Sequence, residues 1–107
     1  MAKRKVSARG ERRSRQRAAD KLARDRERLA YLEPGGDRAR PIEVESASQV
    51  EPHTLALRCL SCDGPNRLDE HAAVLVEGAM LRVARLACSQ CGSRREVWFR
   101  LAPPLPS

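Results

Sequence analysis

The chain has 107 residues, with 21 Lys+Arg against 14 Asp+Glu for a formal net charge of +7, 41% hydrophobic residues and only 3% aromatics. That length suits one domain of modest size, or a smaller domain with a tail. The longest apolar run, residues 72–76, is far short of the roughly 20 residues a membrane helix needs, and the first thirty residues are basic with no apolar signal segment.

The positive charge is confined to one end. Residues 1–40 hold 14 Lys+Arg and 6 Asp+Glu, a balance of +8, whereas residues 41–107 hold 7 and 8, a balance of −1. Residues 1–36 therefore read as a basic arm. From about residue 11 to residue 33 the arm is rich in good helix formers, and Pro34-Gly35-Gly36 is a sharp stop. Ala18, Leu22, Leu29 and Leu32 make a narrow apolar stripe on this helix, broken by Asp25 and Arg26. The pairs Glu11–Arg15 and Asp20–Arg24 sit one turn apart, each worth about 0.2–0.5 kcal/mol. Such a helix is marginal when isolated and is steadied by docking on a partner.

Residues 37–53 read as a linker with one short strand, where Ile42 and Val44 alternate with Glu43 and Glu45. The body is placed at 54–102. Its first strand runs through residues 68–76, Glu77-Gly78 is a tight hairpin turn, and residues 80–87 form the second strand. On that strand Met80, Ala84 and Leu86 share one face and Leu81, Val83 and Ala87 the other. A third strand over 95–101 turns Val97, Phe99 and Leu101 to the core and Trp98 to the opposite face with Glu96 and Arg100. Residues 103–107 form a proline-rich tail that cannot continue a sheet interior.

The strongest signal is the set of four cysteines. Cys59-x-x-Cys62 and Cys88-x-x-Cys91 are separated by a 25-residue insert that contains the hairpin. Two residues between cysteines let one tight turn aim both sulfurs at a single ion, and four thiolates complete a tetrahedral zinc site with Zn–S near 2.3 Å. In a chain with no export signal, expected in the cytoplasm, cysteines serve as metal ligands more readily than as disulfides. An iron site with the same four ligands is the alternative. Gly92 after the second pair, and Asp63 after the first, suit the left-handed backbone that such turns require. Four thiolates on one Zn²⁺ leave a charge of −2, which Arg58, Arg94 and Arg95 are placed to offset.

These residues resemble the zinc-ribbon family: two C-x-x-C knuckles joined through a hairpin, with a third strand leaving the second knuckle. The resemblance covers residues 58–101. It implies a small metal-stabilised β fold, here a three-stranded antiparallel zinc ribbon preceded by a basic N-terminal helix. It also implies a structural metal and a binding role, often with nucleic acid. A body this small, with one Trp and one Phe, needs a metal to be secure.

No enzyme is expected. Four cysteines close the coordination sphere to water, no phosphate-binding glycine loop occurs, and Asp69-Glu70-His71 cannot all face one site on a strand. His71 reads as a surface or edge histidine, and His53 is the only further candidate ligand near a knuckle. The leading expectation is a non-enzymatic protein that binds nucleic acid, RNA or a ribonucleoprotein in preference to a specific DNA site, through Arg12, Arg13, Arg15 and Arg17. Trp98 and Arg100 are a candidate partner surface. The alternative is a protein–protein adaptor that binds an acidic partner through that surface and the arm helix.

Overall fold

The computed structural model describes residues 8–103; the tail at 104–107 and the first seven residues of the arm lie outside the described residues. Helix α1 spans Ala8–Leu32, strand β1 Ile42–Val44, helix α2 Val50–Leu55, and strands β2, β3 and β4 Asn66–Val76, Ala79–Cys88 and Arg94–Leu101. A short 3-10 turn, Ala47–Gln49, leads into α2. There Gln49 Oε1 accepts the Glu45 N–H at 2.7 Å and the Ser46 N–H at 3.4 Å, which occupies backbone donors ahead of the helix.

The four strands form one sheet in the order β1-β4-β3-β2. β2, β3 and β4 are antiparallel, but β1 runs parallel to β4, with Ile42 opposite Phe99 and Val44 opposite Leu101. This corrects the expected three-stranded antiparallel ribbon: the sheet is four-stranded and mixed. The outer edge of β4 carries unpaired backbone groups that must find partners. Gly35 supplies one, its carbonyl accepting the Trp98 N–H at 2.8 Å, and β1 extends the pairing. The stretch 37–53 holds β1, the 3-10 turn and the first residues of α2.

The hairpin turn falls at Glu77-Gly78, between the paired residues Val76 and Ala79. Both turn residues have positive φ, +49° and +82°, as a two-residue turn matched to strand twist demands. Upstream in β2, Leu68 lies opposite Leu86, but Glu70 lies opposite Arg85. Two residues on β2 thus answer one on β3, a bulge at Asp69. The bulge reverses the facing of everything after it. Glu70 joins the outer face, and His71, opposite Ala84, joins the core face.

The core lies on that face, under α2. Val44, Val50, Ala84, Leu86, Val97 and Phe99 form one buried cluster, with Ile42, Leu57 and Leu68 packed against it. The ring of His53 on α2 stands edge-on to Phe99, centroids 5.4 Å apart. His71 is half-buried, and its Nε2 is enclosed without a hydrogen-bond partner among the described residues. It is therefore on an edge strand, as expected, but only partly at the surface, because the bulge turned it towards the core face. On the opposite face Arg85 bridges Glu70 at 2.8 Å and Glu96 at 3.3 Å, which ties β2, β3 and β4 together. Glu70 first, then Glu96, holds the Arg85 guanidinium above its ordinary pKa.

Helix α1 stands largely clear of this body. Ala30 is its only buried residue, and the molecule measures 77 × 24 × 23 Å, elongated by a helix about 37 Å long. The junction is tight. A side chain at Gly36 would collide with the Ala30 carbonyl oxygen, and one at Gly35, whose φ is +88°, would meet Ile42 Cδ1 at 2.6 Å. Arg40 closes the junction by donating to the Tyr31 carbonyl at 2.8 Å, with its guanidinium 5.6 Å from the Tyr31 ring centre. No described helix is long and apolar enough to cross a membrane.

Candidate metal centre

The two cysteine pairs lie at one end of the sheet, on turns of matching construction. In the first, the Asp63 N–H reaches back to the Cys59 carbonyl at 2.9 Å; in the second, the Gly92 N–H reaches back to the Cys88 carbonyl at 3.1 Å. Both turns close through a left-handed residue just after the second cysteine, Asp63 at φ +62° and Gly92 at φ +77°. The Ser61 N–H points at Cys59 Sγ (3.4 Å), and those of Gln90 and Cys91 point at Cys88 Sγ (3.3 and 3.4 Å). Backbone donors aimed at sulfur stabilise the thiolate form that a metal needs. The knuckles are also tied to each other: the Ser89 N–H donates to the Pro65 carbonyl at 2.9 Å.

All four sulfurs lie within 4.8 Å of one another, so the cluster can hold a metal ion. Cys59 Sγ and Cys91 Sγ are 3.5 Å apart, and Cys62 Sγ and Cys88 Sγ 3.4 Å. A tetrahedral zinc site with bonds near 2.3 Å requires about 3.8 Å between sulfurs, so the spacing fits one ion with little adjustment. None of the four is disulfide-bonded. The first cysteine of each pair is buried and the second is exposed, so the ion would sit at the rim of the body. Gly64 packs closely into this closure: a side chain there would meet Gln90 Oε1 at 2.5 Å, which would have to swing aside, and Cys62 Sγ at 3.1 Å.

Packed this closely, the sulfurs hold their protons with unequal strength. Cys62 is pushed up to about 12, chiefly because it shares a hydrogen bond with Cys88. Cys91 is pulled down to about 6, first by the Ser93 hydroxyl, 3.2 Å from its sulfur, and then by the Ser93 backbone. Cys88 is lowered by the N–H groups of Cys91 and Gln90. Four thiols this close cannot all ionise unless a positive charge is among them.

Arg95 is a cation within electrostatic reach of the cluster. Burial lowers its pKa, while Glu33 and Cys59 act to raise it, so its charge is partly desolvated beside the cluster. Arg94 begins β4 directly after the second knuckle, and Arg58 pairs with Pro65 through an isolated bridge. His53 faces Phe99, so among the candidate ligands only the four cysteines converge.

The arm residues are elsewhere. Arg12, Arg13, Arg15 and Arg17 are all exposed along α1; Arg15 is 3.9 Å from Glu11 and the other three form no ion pair among the described residues. Trp98 is half-buried beside its register partner Val83, and Arg100 pairs with Glu43 at 3.7 Å. Between the last turns of α1, the loop that follows and the first knuckle lies a groove of about 390 Å³, lined in part by Tyr31, Arg38, Arg94 and Trp98. The sequence offered no local signal for Arg38, and Tyr31 stands out there only as the arm's single aromatic.

The fold and site define a class: a small, mixed-sheet protein with a four-cysteine cluster at one end and a projecting basic helix. A comparison with protein families, curated proteins and solved structures finds no match to this chain.

Proposed function

We propose that this is a non-enzymatic zinc protein of zinc-ribbon type that binds nucleic acid through α1, RNA or a ribonucleoprotein in preference to a specific DNA site. The observation that carries the reading is the exposure of Arg12, Arg13, Arg15 and Arg17 on a helix that projects from a nearly neutral body. Guanidinium groups on an exposed helix meet phosphates well, and phosphate contacts by themselves carry no sequence information. Zinc is the ion that four thiolates in a tetrahedron favour, with iron as the alternative on the same ligands. Metal analysis of the purified chain distinguishes them. A closed four-sulfur shell gives the metal a structural role.

Charge reversal of the four arginines to Glu tests the arm. Four phosphate contacts to a single strand imply a salt slope of about −2.8, or roughly a 50-fold loss of affinity between 50 and 200 mM salt. The reversed variant should bind at least tenfold more weakly and lose that slope. Equal binding by the two proteins refutes the reading.

A second reading, an adaptor for an acidic protein, is supported by a separate observation. Leu22, Leu29 and Leu32 are 52–63% exposed along one side of α1. Protein recovered in place of nucleic acid on crosslinking would favour it.

A further inference from the structure

The groove at the foot of α1 joins features that neither the metal nor the exposed arginines explain. It is about 390 Å³, within the range of small-ligand sites. One side is α1, through Glu27, Ala30 and Tyr31; the other is the β4 end of the sheet, through Arg94 and Trp98, with Arg38 on the connecting loop. Arg38 and Arg94 form no ion pair among the described residues, and neither does Glu27. Tyr31, 54% exposed, has its ring steadied by the Arg40 guanidinium. Trp98 is fixed at its backbone by Gly35 and flanked on the sheet by Val83.

Cations and carboxylates line this groove in comparable number, which argues against a site for a bare anion. The groove is also lined by two aromatic side chains, Tyr31 and Trp98, which suit a ligand that joins a phosphate to a flat, hydrogen-bonding ring. The arm leads into it. Arg13, Arg17 and Arg24 repeat at spacings of four and seven, and so share the side of α1 that carries Glu27 and Tyr31 at the groove. Arg13 and Tyr31 are about 27 Å apart along the helix, room for several phosphates of one strand.

We propose that this groove binds one nucleotide of a single RNA strand whose backbone runs along the Arg13–Arg17–Arg24 side of α1. Its base stacks on Trp98, its phosphate meets Arg38 and Arg94, and Glu27 accepts a hydrogen bond from an exocyclic amine. This rests on the nucleic-acid reading of the arm and adds a base-selective subsite to it. Because the amine is read by a carboxylate, adenosine should be preferred over uridine, whose ring offers a carbonyl at that position.

Trp98 is the chain's single tryptophan and lines the groove, so in the metal-loaded, folded chain its fluorescence reports on ligand entering there. The metal-loaded full chain is titrated with an adenosine tetraribonucleotide and with its uridine counterpart, and binding is followed in parallel by anisotropy of labelled RNA. The expected result is saturable quenching by the adenosine oligomer, at least fivefold weaker binding of the uridine oligomer, and about tenfold weaker adenosine binding by the R38A/R94A double variant. Glu27→Gln should narrow the adenosine preference without altering metal content or circular dichroism. RNA binding by anisotropy with unchanged Trp98 emission overturns the groove site and leaves the arm reading standing. Quenching unaffected by the double variant also overturns the groove site. No RNA binding at low salt overturns both.

Discussion

Removing the metal should unfold the body. Residues 42–101 form a unit of about 60 residues, and at about 0.05–0.15 kcal/mol per residue its whole stability would be about 3–9 kcal/mol. Binding of structural zinc in small domains is worth about 10–16 kcal/mol, more than that entire margin. The structure shows why loss at the knuckles would spread. Cys88 is the last residue of β3, and β4 begins six residues later at Arg94, so the central strands are held together at that end by the second knuckle. Releasing the sulfurs leaves four thiols within 4.8 Å and frees the turns that set the β3–β4 register. The assay is chelation followed by Trp98 emission and amide exchange of Val83 and Leu86, which are buried on opposite faces of β3. Emission should shift to the red and both amides should lose protection. Cys88→Ser should reproduce the effect without chelator. If metal analysis shows the ion gone while emission and protection persist, the reasoning is wrong.

Acid should release the metal in a defined direction. Cys91 is held at about 6 and Cys88 is also lowered, so the folded cluster binds fewer protons than the unfolded chain between pH 6 and the ordinary thiol value of 9.0. Stability from these two groups is therefore present above that ordinary value and is lost as pH falls through the folded one. Cys62, raised to about 12, works the other way and loses its contribution only as pH rises towards that value. A bound cation deepens the demand for thiolate, so a metal-indicator titration should show release as pH falls, and full occupancy at pH 4 would contradict this. At the hairpin, Glu77 occupies a left-handed position at φ +49°, where Asn is better tolerated. Glu77→Asn should raise stability, by up to about 1 kcal/mol of the roughly 1–2 kcal/mol that the left-handed conformation costs an ordinary residue, in a denaturant melt, and a loss of stability would show that the Glu77 side chain has a role the turn geometry does not reveal.

The sequence carried the local features because each depends on neighbours in the chain. The Glu77-Gly78 turn, the left-handed residues Asp63 and Gly92 after each cysteine pair, the helix stop at Pro34, and the alternation of Val97 and Phe99 against Trp98 are set by backbone sterics within a few residues. The four cysteines likewise converge because their spacing puts two sulfurs on each turn. The bulge at Asp69 was not legible. It reverses the facing of β2 only because Leu68 and Arg67 must match β3 on one side while Glu70 must meet Arg85 on the other.

The net charge of +7, whose whole excess lies in the first forty residues, and the metal-binding pattern were therefore determined by the sequence itself. Tertiary structure alone decided that a three-residue strand would pair in parallel with β4, that six residues from Val50 to Leu55 would cap the core, and that Tyr31, Arg38 and Trp98 would share a groove. Segments so short have no period of their own. Their conformation is set by what the edge of β4 and the apolar face of the sheet require, and those requirements exist only once the chain has closed on itself.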